Sequence, residues 1–305
     1  MRARSIRRVE LKTGKYCVDE VIIHEDTEIV LSKRVEDASL LSRGMSEELR
    51  AMGDFLEALP VISAEKIQGE RVEEGIVYSR HRIAVLSRRT LEEILQRDSE
   101  EPLVYMDRGG IYVKVRGDVL RRLREKRGLS RSDVANELRV SPRMVARYEE
   151  NLSDATLEVA ERLGNLFGPE VFERLSIKAL KRFFYESGTV STTHPKDAYL
   201  GQLLVSLARY GYRGYTFSRA PIDAGAKKSE GVLKIAIKKR EAQEDEQELN
   251  LARELAEETG TRLVVVSEAA EYRKYGENCI VVPKSSASEV AKRIISQISS
   301  FDESS

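Results

Sequence analysis

The sequence predicts a mixed fold, α/β plus all-α, in which two small α/β units flank a helical centre. Three observations predict it. Short β-rich runs alternate with amphipathic helices in residues 1–95 and again in 197–300. Between them, Gly117 to Phe167 carries closely spaced helix-cap signals. The charge of that centre also stands apart. Lys114 to Arg147 holds 11 basic and 4 acidic residues, in a chain whose 51 Lys and Arg balance 51 Asp and Glu. A local positive excess on a neutral background is the mark of a surface that faces phosphates.

The centre reads as two short helices joined by a tight turn, SRSDVANELRVSPRMVARYEEN from Ser130 to Asn151. Ser130 caps the first helix, with Asp133 as the acidic partner of a capping box. Val134, Ala135 and Leu138 share one face. The break falls at Arg139-Val140-Ser141, where Ser141 is an N-cap and Pro142 takes the first helical position, where no N–H is needed. Val145 turns inward in the second helix, leaving Arg143, Met144 and Arg147 to point away from the core. This is a helix-turn-helix, and its second helix meets base edges through its first turns.

Residues 120–151 resemble the helix-turn-helix domain of the lambda Cro and repressor type. The matching slots hold Leu120, Leu123, Arg124, Gly128-Leu129-Ser130, Ala135, Val140-Ser141 and Tyr148-Glu149. Two slots depart from the pattern. Arg131 stands where that family often has Gln, and Arg139 occupies the turn position that usually carries Gly. A non-glycine residue held there at positive φ is mildly strained. The resemblance implies Arg143, Met144 and Arg147 at base edges, and Arg131, Ser141 and Tyr148 at the DNA backbone.

A chain of 305 residues has room for two or three domains. No apolar run reaches the 18 or so residues of a membrane span, and no apolar segment follows the basic start MRARSIRRVE as in a secretory signal. Cys17 and Cys279 lie far apart without metal-ligand spacing, and read as small buried hydrophobes of a reduced, cytoplasmic protein. His24, His81 and His194 accompany no nucleophile pattern and read as surface or turn residues. No catalytic residue, metal ligand or cofactor is expected.

In chain order, Tyr16 to Ile23 and Glu28 to Leu31 predict strands, and Ser46 caps a helix to about Leu59. Strands follow at Pro60 to Ser63 and Arg82 to Leu86, with a helix opened by Thr90 and Glu93. Residues 101–116 read as a hairpin around Arg108-Gly109-Gly110, and Val171 to Tyr185 as a helix. Domain boundaries are expected at 1–112, 113–187 (with the helix-turn-helix at about 131–150), a small polar linker at 188–196, and 197–305. The last domain predicts a helix from Asp197 to Tyr210, strands at Tyr215 to Phe217, Val232 to Ile237, Leu263 to Val266 and Cys279 to Val282, a helix over Glu244 to Glu258, and a final helix capped by Ser286 with Glu289.

The two α/β units resemble each other. Asp19 precedes a strand ending in Lys33, and Asp223 precedes one ending in Lys238. A helix follows in both, then Leu59-Pro-Val-Ile-Ser in one and Leu263-Val-Val-Val-Ser in the other. An Asp in a turn before a strand that ends in Lys resembles the PD-(D/E)-x-K nuclease core. That chemistry needs a second acid two residues before the Lys to hold Mg²⁺. Leu31 and Ala236 occupy that slot. Glu20 and Glu230 are the nearest candidates for a displaced acid, and both units read as degenerate.

With Gly75-Ile-Val-Tyr, Pro102-Leu-Val-Tyr and Gly110-Ile-Tyr-Val-Lys ahead of the helix-turn-helix, the whole chain is similar to an archaeal family of helix-turn-helix transcriptional regulators. That resemblance implies sequence-specific binding of double-stranded DNA and control of transcription, and implies no ligand. A single recognition helix reads only a few base pairs, so a homodimer is expected. Two alternatives differ in kind. One is a metal-dependent nuclease carried by Asp223 and Lys238 and guided by the helix-turn-helix. The other is a non-catalytic adaptor whose basic domain contacts a protein.

Overall fold

Alternating strand and helix signals resolve into sixteen strands and ten α-helices among the described residues. The computed structural model describes residues 5–11, 14–25, 28–96, 101–107, 110–185, 197–228, 233–240, 246–268, 273–275 and 278–302. The expected linker at 188–196, His194, Glu230 and the turn residues Arg108 and Gly109 lie outside them.

In chain order the elements begin with β1 (Ile6–Glu10), β2 (Glu20–His24), β3 (Glu28–Asp37), α1 (Arg43–Leu56), β4 (Leu59–Ile67) and β5 (Glu70–Arg71). Next come β6 (Ile76–Arg80), β7 (Ile83–Leu86), α2 (Arg88–Gln96), β8 (Val104–Asp107) and β9 (Gly110–Val113). The helical centre holds α3 (Gly117–Lys126), α4 (Arg131–Leu138), α5 (Pro142–Glu149), the short strand β10 (Ala155–Thr156), α6 (Leu157–Phe167) and α7 (Ile177–Tyr185). The last stretch holds α8 (Ala198–Ala208), β11 (Tyr212–Thr216), β12 (Ala224–Lys228), β13 (Lys234–Arg240), α9 (Glu246–Glu258), β14 (Arg262–Ser267), β15 (Arg273–Tyr275), β16 (Cys279–Pro283) and α10 (Ala287–Asp302).

These elements form two compact units that interleave along the chain. One gathers residues 1–34, 41–60 and 188–305, and the other 35–40 and 61–187. In the first unit, β1, β2 and β3 form an antiparallel meander. Strands β11, β12 and β13 form a second meander, and β13, β14 and β16 then run parallel, with β15 antiparallel on β16. The parallel strands are continuous apolar runs because helices cover parallel sheets on both faces. Leu203, Leu207, Ile235, Ile237, Val264, Val266, Val282, Val290 and Ile294 make their shared core.

In the second unit the sheet runs β4-β7-β6-β8-β9-β10, with β5 paired to β4. The expected hairpin at 101–116 is present, Val104 to Asp107 pairing antiparallel with Gly110 to Val113. Helices α3 to α6 pack around Leu120, Val134, Leu138, Val145, Leu163 and Phe167.

Several boundaries differ from the sequence expectation for definable reasons. Ser42, not Ser46, caps α1, accepting from the Met45 N–H, while Ser46 is buried inside the helix and donates to the Ser42 carbonyl. Likewise Ser87 caps α2 by accepting from the Thr90 N–H, and Thr90 is an interior residue. Both errors place the cap at a Ser or Thr inside the first turn, where a hydroxyl can serve the backbone without ending the helix. Tyr16 to Val18 lie before β2 rather than in it, and His24, expected at the surface, is 5% exposed at the end of β2. The expected helix from Val171 is a short 3-10 turn at Pro169–Val171 and, after a break, α7. Strands β1 and β12 were not anticipated. In β1, IRRVE, three charged residues obscure Ile6 and Val9, and β12, AGAKK, has no β-branched residue to announce it.

Candidate nucleic-acid interface

The helix-turn-helix is built as its cap signals require. Ser130 Oγ accepts from the Asp133 N–H (3.1 Å), and the Asp133 carboxylate accepts from the Ser130 N–H (2.7 Å), closing the capping box. Those bonds hold the Asp133 carboxyl below its ordinary pKa. Helix α4 ends on Arg139 at φ 56°, ψ 45°, the left-handed conformation in which glycine is usual. Ser141 Oγ then accepts from the Met144 N–H (3.2 Å), and Pro142 opens α5.

Helix α3 approaches the end of α5 closely. A Cβ on Gly117 would lie 2.4 Å from the Tyr148 carbonyl oxygen and 2.5 Å from that of Glu149, so only glycine fits. The Gly117 N–H donates to Asn151 Oδ1 (2.9 Å). Nearby, the buried carboxylate of Asp154 accepts from Tyr105 Oη (2.8 Å), Lys114 Nζ (3.0 Å) and the Val115 N–H (3.0 Å). It thereby ties the β8–β9 hairpin to the loop after α5. Burial, and then the Asp154 charge, push the Tyr105 hydroxyl pKa up.

Around α5 the electrostatics centre on Glu149, whose side chain is fully buried. Arg124 Nε donates to its Oε1, Arg131 Nε to its Oε2 at 2.9 Å, and Arg121 Nε lies 3.6 Å from Oε2. Arg124 also donates to the Leu129 carbonyl (3.0 Å), so it closes the turn before α4. Burial works to raise the Glu149 pKa, but the bonds from Arg124 and Arg131 outweigh it and hold the carboxyl below its ordinary value. Sequence reading missed this cluster. Its signal in the sequence is a single acid, Glu149, at the end of a helix whose neighbours carry Arg124 and Arg131.

Of the six residues expected at DNA, Ser141 and Arg143 are exposed together at the start of α5, and Arg143 makes no ion pair or hydrogen bond among the described residues. Arg147 is exposed on the same helix, but its Nε donates to Ser153 Oγ (3.0 Å) and its Nη2 to the Leu152 carbonyl (2.9 Å). Arg131, 41% exposed, leans on Glu149. Two placements correct the expectation. Tyr148 is only 4% exposed and packs in the helix-turn-helix core rather than facing the DNA backbone, its hydroxyl pKa raised by that burial. Met144 is half-buried against the same core, because a thioether on the inner edge of α5 gains more from packing than from water.

In the α/β elements each Asp faces its Lys, and each Lys has a further acceptor, the Tyr16 carbonyl for Lys33 Nζ (2.8 Å) and the Glu248 carboxylate for Lys238 Nζ (3.2 Å). Asp19 accepts from Lys33 Nζ (2.9 Å) and the Arg34 N–H (2.8 Å). Asp223 lies 3.5 Å from Lys238 Nζ and accepts from the Lys239 N–H (2.7 Å). Both second-acid slots, Leu31 and Ala236, are buried apolar side chains. With the second-acid slots apolar, no group of three or more His, Cys, Asp or Glu placed to hold a metal ion occurs among the described residues.

Fold and surface together define a helix-turn-helix protein with nuclease-like α/β elements. A PD-(D/E)XK superfamily domain model matches residues 2–100, and a helix-turn-helix model matches residues 120–170. A Thermococcus gammatolerans protein is 26% identical over 285 residues, covering 93% of this chain and 87% of its own. One from Pyrococcus abyssi is 28% identical over 88% of this chain and 85% of its own. A Halobacterium salinarum protein is 36% identical over 50% of this chain and 47% of its own. All three are provisionally named HTH-type transcriptional regulatory proteins, and this chain is homologous to them. No solved structure matches. Among the described residues no helix is long and apolar enough to cross a membrane.

Proposed function

We propose that the protein is a sequence-specific, double-stranded-DNA-binding regulator of transcription that acts in the cytoplasm as a homodimer. Residues 113–187 would be its DNA-binding domain, with the nuclease-like segments 1–112 and 197–305 as non-catalytic partners joined to it through 188–196. The observation that carries this reading is the exposed, unengaged Arg143 beside the Ser141-capped start of α5. An arginine there reaches base edges, while the helix start offers its free N–H groups to phosphate. Arg147, already bonded to its own loop, would meet bases after exchanging those bonds, and Arg131 would meet phosphate beside Glu149. Selection from a random duplex library, followed by titration across a salt series, tests the reading. Arg143→Ala should cost about 1–3 kcal/mol and relax specificity at one base pair, whereas Arg131→Ala should weaken all sequences alike. No enriched site, or binding indifferent to both changes, would move the basic domain to a protein partner.

The PD-(D/E)XK match supports a second reading, a nuclease guided by the helix-turn-helix. The buried apolar Leu31 and Ala236 in the second-acid slots weigh against it. Incubation with duplex DNA and Mg²⁺ should give no cleavage. Cleavage abolished by Asp19→Ala or Asp223→Ala would install the nuclease instead.

A further inference from the structure

The two α/β segments match beyond their sequence motif. In each, an antiparallel meander of three strands (β1–β3, β11–β13) is followed by a helix (α1, α9). A pair of parallel strands comes next (β4 with β7, β14 with β16), with an intervening strand antiparallel to the second (β6, β15), and then a closing helix (α2, α10). The match reaches single hydrogen bonds. The Asp19 N–H donates to the Ser32 carbonyl (3.0 Å), and the Asp223 N–H to that of Ile237 (2.9 Å). The Asp19 carbonyl accepts from Leu11 (2.8 Å), and the Asp223 carbonyl from Phe217 (2.9 Å). Each Asp carboxylate then takes the ammonium of a Lys and the N–H of the residue after it.

The contacts between the copies are reciprocal. Lys15 stands four residues before Asp19, and Arg219 four before Asp223. Lys15 Nζ donates to the Glu248 carboxylate on α9, the helix of the second copy. The Arg219 N–H donates to the Glu48 carboxylate on α1, the helix of the first, joined there by the Ser218 N–H (2.6 Å) and Oγ (2.9 Å). Where the two loops cross, the Cys17 N–H donates to the Arg219 carbonyl (2.7 Å). The helices follow suit. Phe55 of α1 packs on Tyr215 and Phe217 at ring separations of 5.7 and 5.9 Å, and Glu258 of α9 pairs with Arg7 of β1 at 3.3 Å. The loop before each Asp meets the first helix of the other copy, and each of those helices meets the other copy's opening strand or its end, which at the level of elements is the pattern of a two-fold interface.

We propose that residues 197–302 are a second copy of the PD-(D/E)XK-type fold and that the two copies dock on each other as a pseudo-homodimer within one polypeptide. The surface formed by the loop before Asp19 and the outer face of α1 is an interaction surface whose partner is the duplicate in the same chain. The Glu48 and Glu248 carboxylates are its braces. Because that surface is filled from within, it does not join one chain to another. The inference does not depend on DNA binding.

Hydrogen exchange of the full chain tests it. In the unmodified protein the amides of Cys17, Ser218 and Arg219 should exchange at rates independent of a hundredfold dilution. Glu48→Ala should speed exchange at residues 217–226 of the second copy at least tenfold, and Glu248→Ala should do the same at residues 14–17 of the first. Protection lost on dilution would show that the copies pair between chains. Variants that disturb only their own copy would show that the braces do not cross. Either result overturns the proposal. If a brace variant fails to fold, Glu48→Gln and Glu248→Gln keep the shape, and the dilution series still decides.

Discussion

Replacing Glu149 by Gln keeps the shape of the side chain and removes the charge that Arg121, Arg124 and Arg131 surround. The three pairs are unequal. Arg124 is 11% exposed and donates to both carboxylate oxygens, so neutralising Glu149 leaves its charge with only the exposed Glu125 carboxylate, 3.3 Å away, as an ionic partner. Breaking a buried pair of that kind costs about 3–5 kcal/mol. Arg131 and Arg121 are 41% and 44% exposed, and such pairs contribute about 0.2–1 kcal/mol each. Because Glu125 still faces Arg124, the low end of that range applies, and with the two exposed pairs the expected loss for Glu149→Gln at pH 7 is about 3–5 kcal/mol, mostly from Arg124. It has a pH signature. The folded protein holds the Glu149 carboxyl below its ordinary value, so its contribution is fully present above the unfolded pKa of about 4.3 and is lost as pH falls through the lower folded value. Denaturant melts of both proteins at pH 7 and at progressively lower pH should show the gap between them closing in acid. A loss under about 1 kcal/mol at pH 7, or a gap that stays constant into acid, would refute the argument. A double-mutant cycle with Arg124→Gln should assign most of the coupling to that pair.

Other substitutions probe backbone and packing. Gly117→Ala places a methyl 2.4 Å from a backbone carbonyl that cannot give way, and should cost about 3 kcal/mol or more, read as loss of helical signal at a lower denaturant midpoint. Arg139→Gly relieves a left-handed arginine and should raise stability by about 1 kcal/mol, measured in the same melts. Gly225→Ala would bring a methyl 2.8 Å from the Phe55 ring and should destabilise by about 1–3 kcal/mol; adding Phe55→Leu should recover part of that loss, since the contact is with one side chain.

Legibility in the sequence tracked how local the physics was. The caps at Ser130 and Ser141, the turn at Arg139 and the Pro142 start depend on neighbours within a few residues, and all are as read. The Asp-Lys repeat was readable because both residues lie in one hairpin. The caps of α1 and α2 were misplaced because Ser42 and Ser46, or Ser87 and Thr90, offer the same hydroxyl one turn apart, and only tertiary burial decides between them. Tyr148 was misread because a tyrosine at a helix end serves core and surface alike until its neighbours are known. The Glu149 cluster joins residues up to 28 positions apart, Arg121 to Glu149, beyond the reach of any periodicity. The Glu48 braces span about 170 residues, and nothing in the local pattern announces them.

The two braces are not alike, and that difference bears on how the chain can change over time. Glu48 is held by main-chain N–H groups and a serine hydroxyl, Glu248 by the ammonium of Lys15 and, from its own copy, that of Lys238. In a true homodimer every substitution appears on both sides of the axis at once, so an interface must tolerate each change twice. Placing both copies on one gene removes that constraint. One side can trade a side-chain contact for a backbone contact while the other keeps its ion pair, and each half drifts toward its own task without the other following.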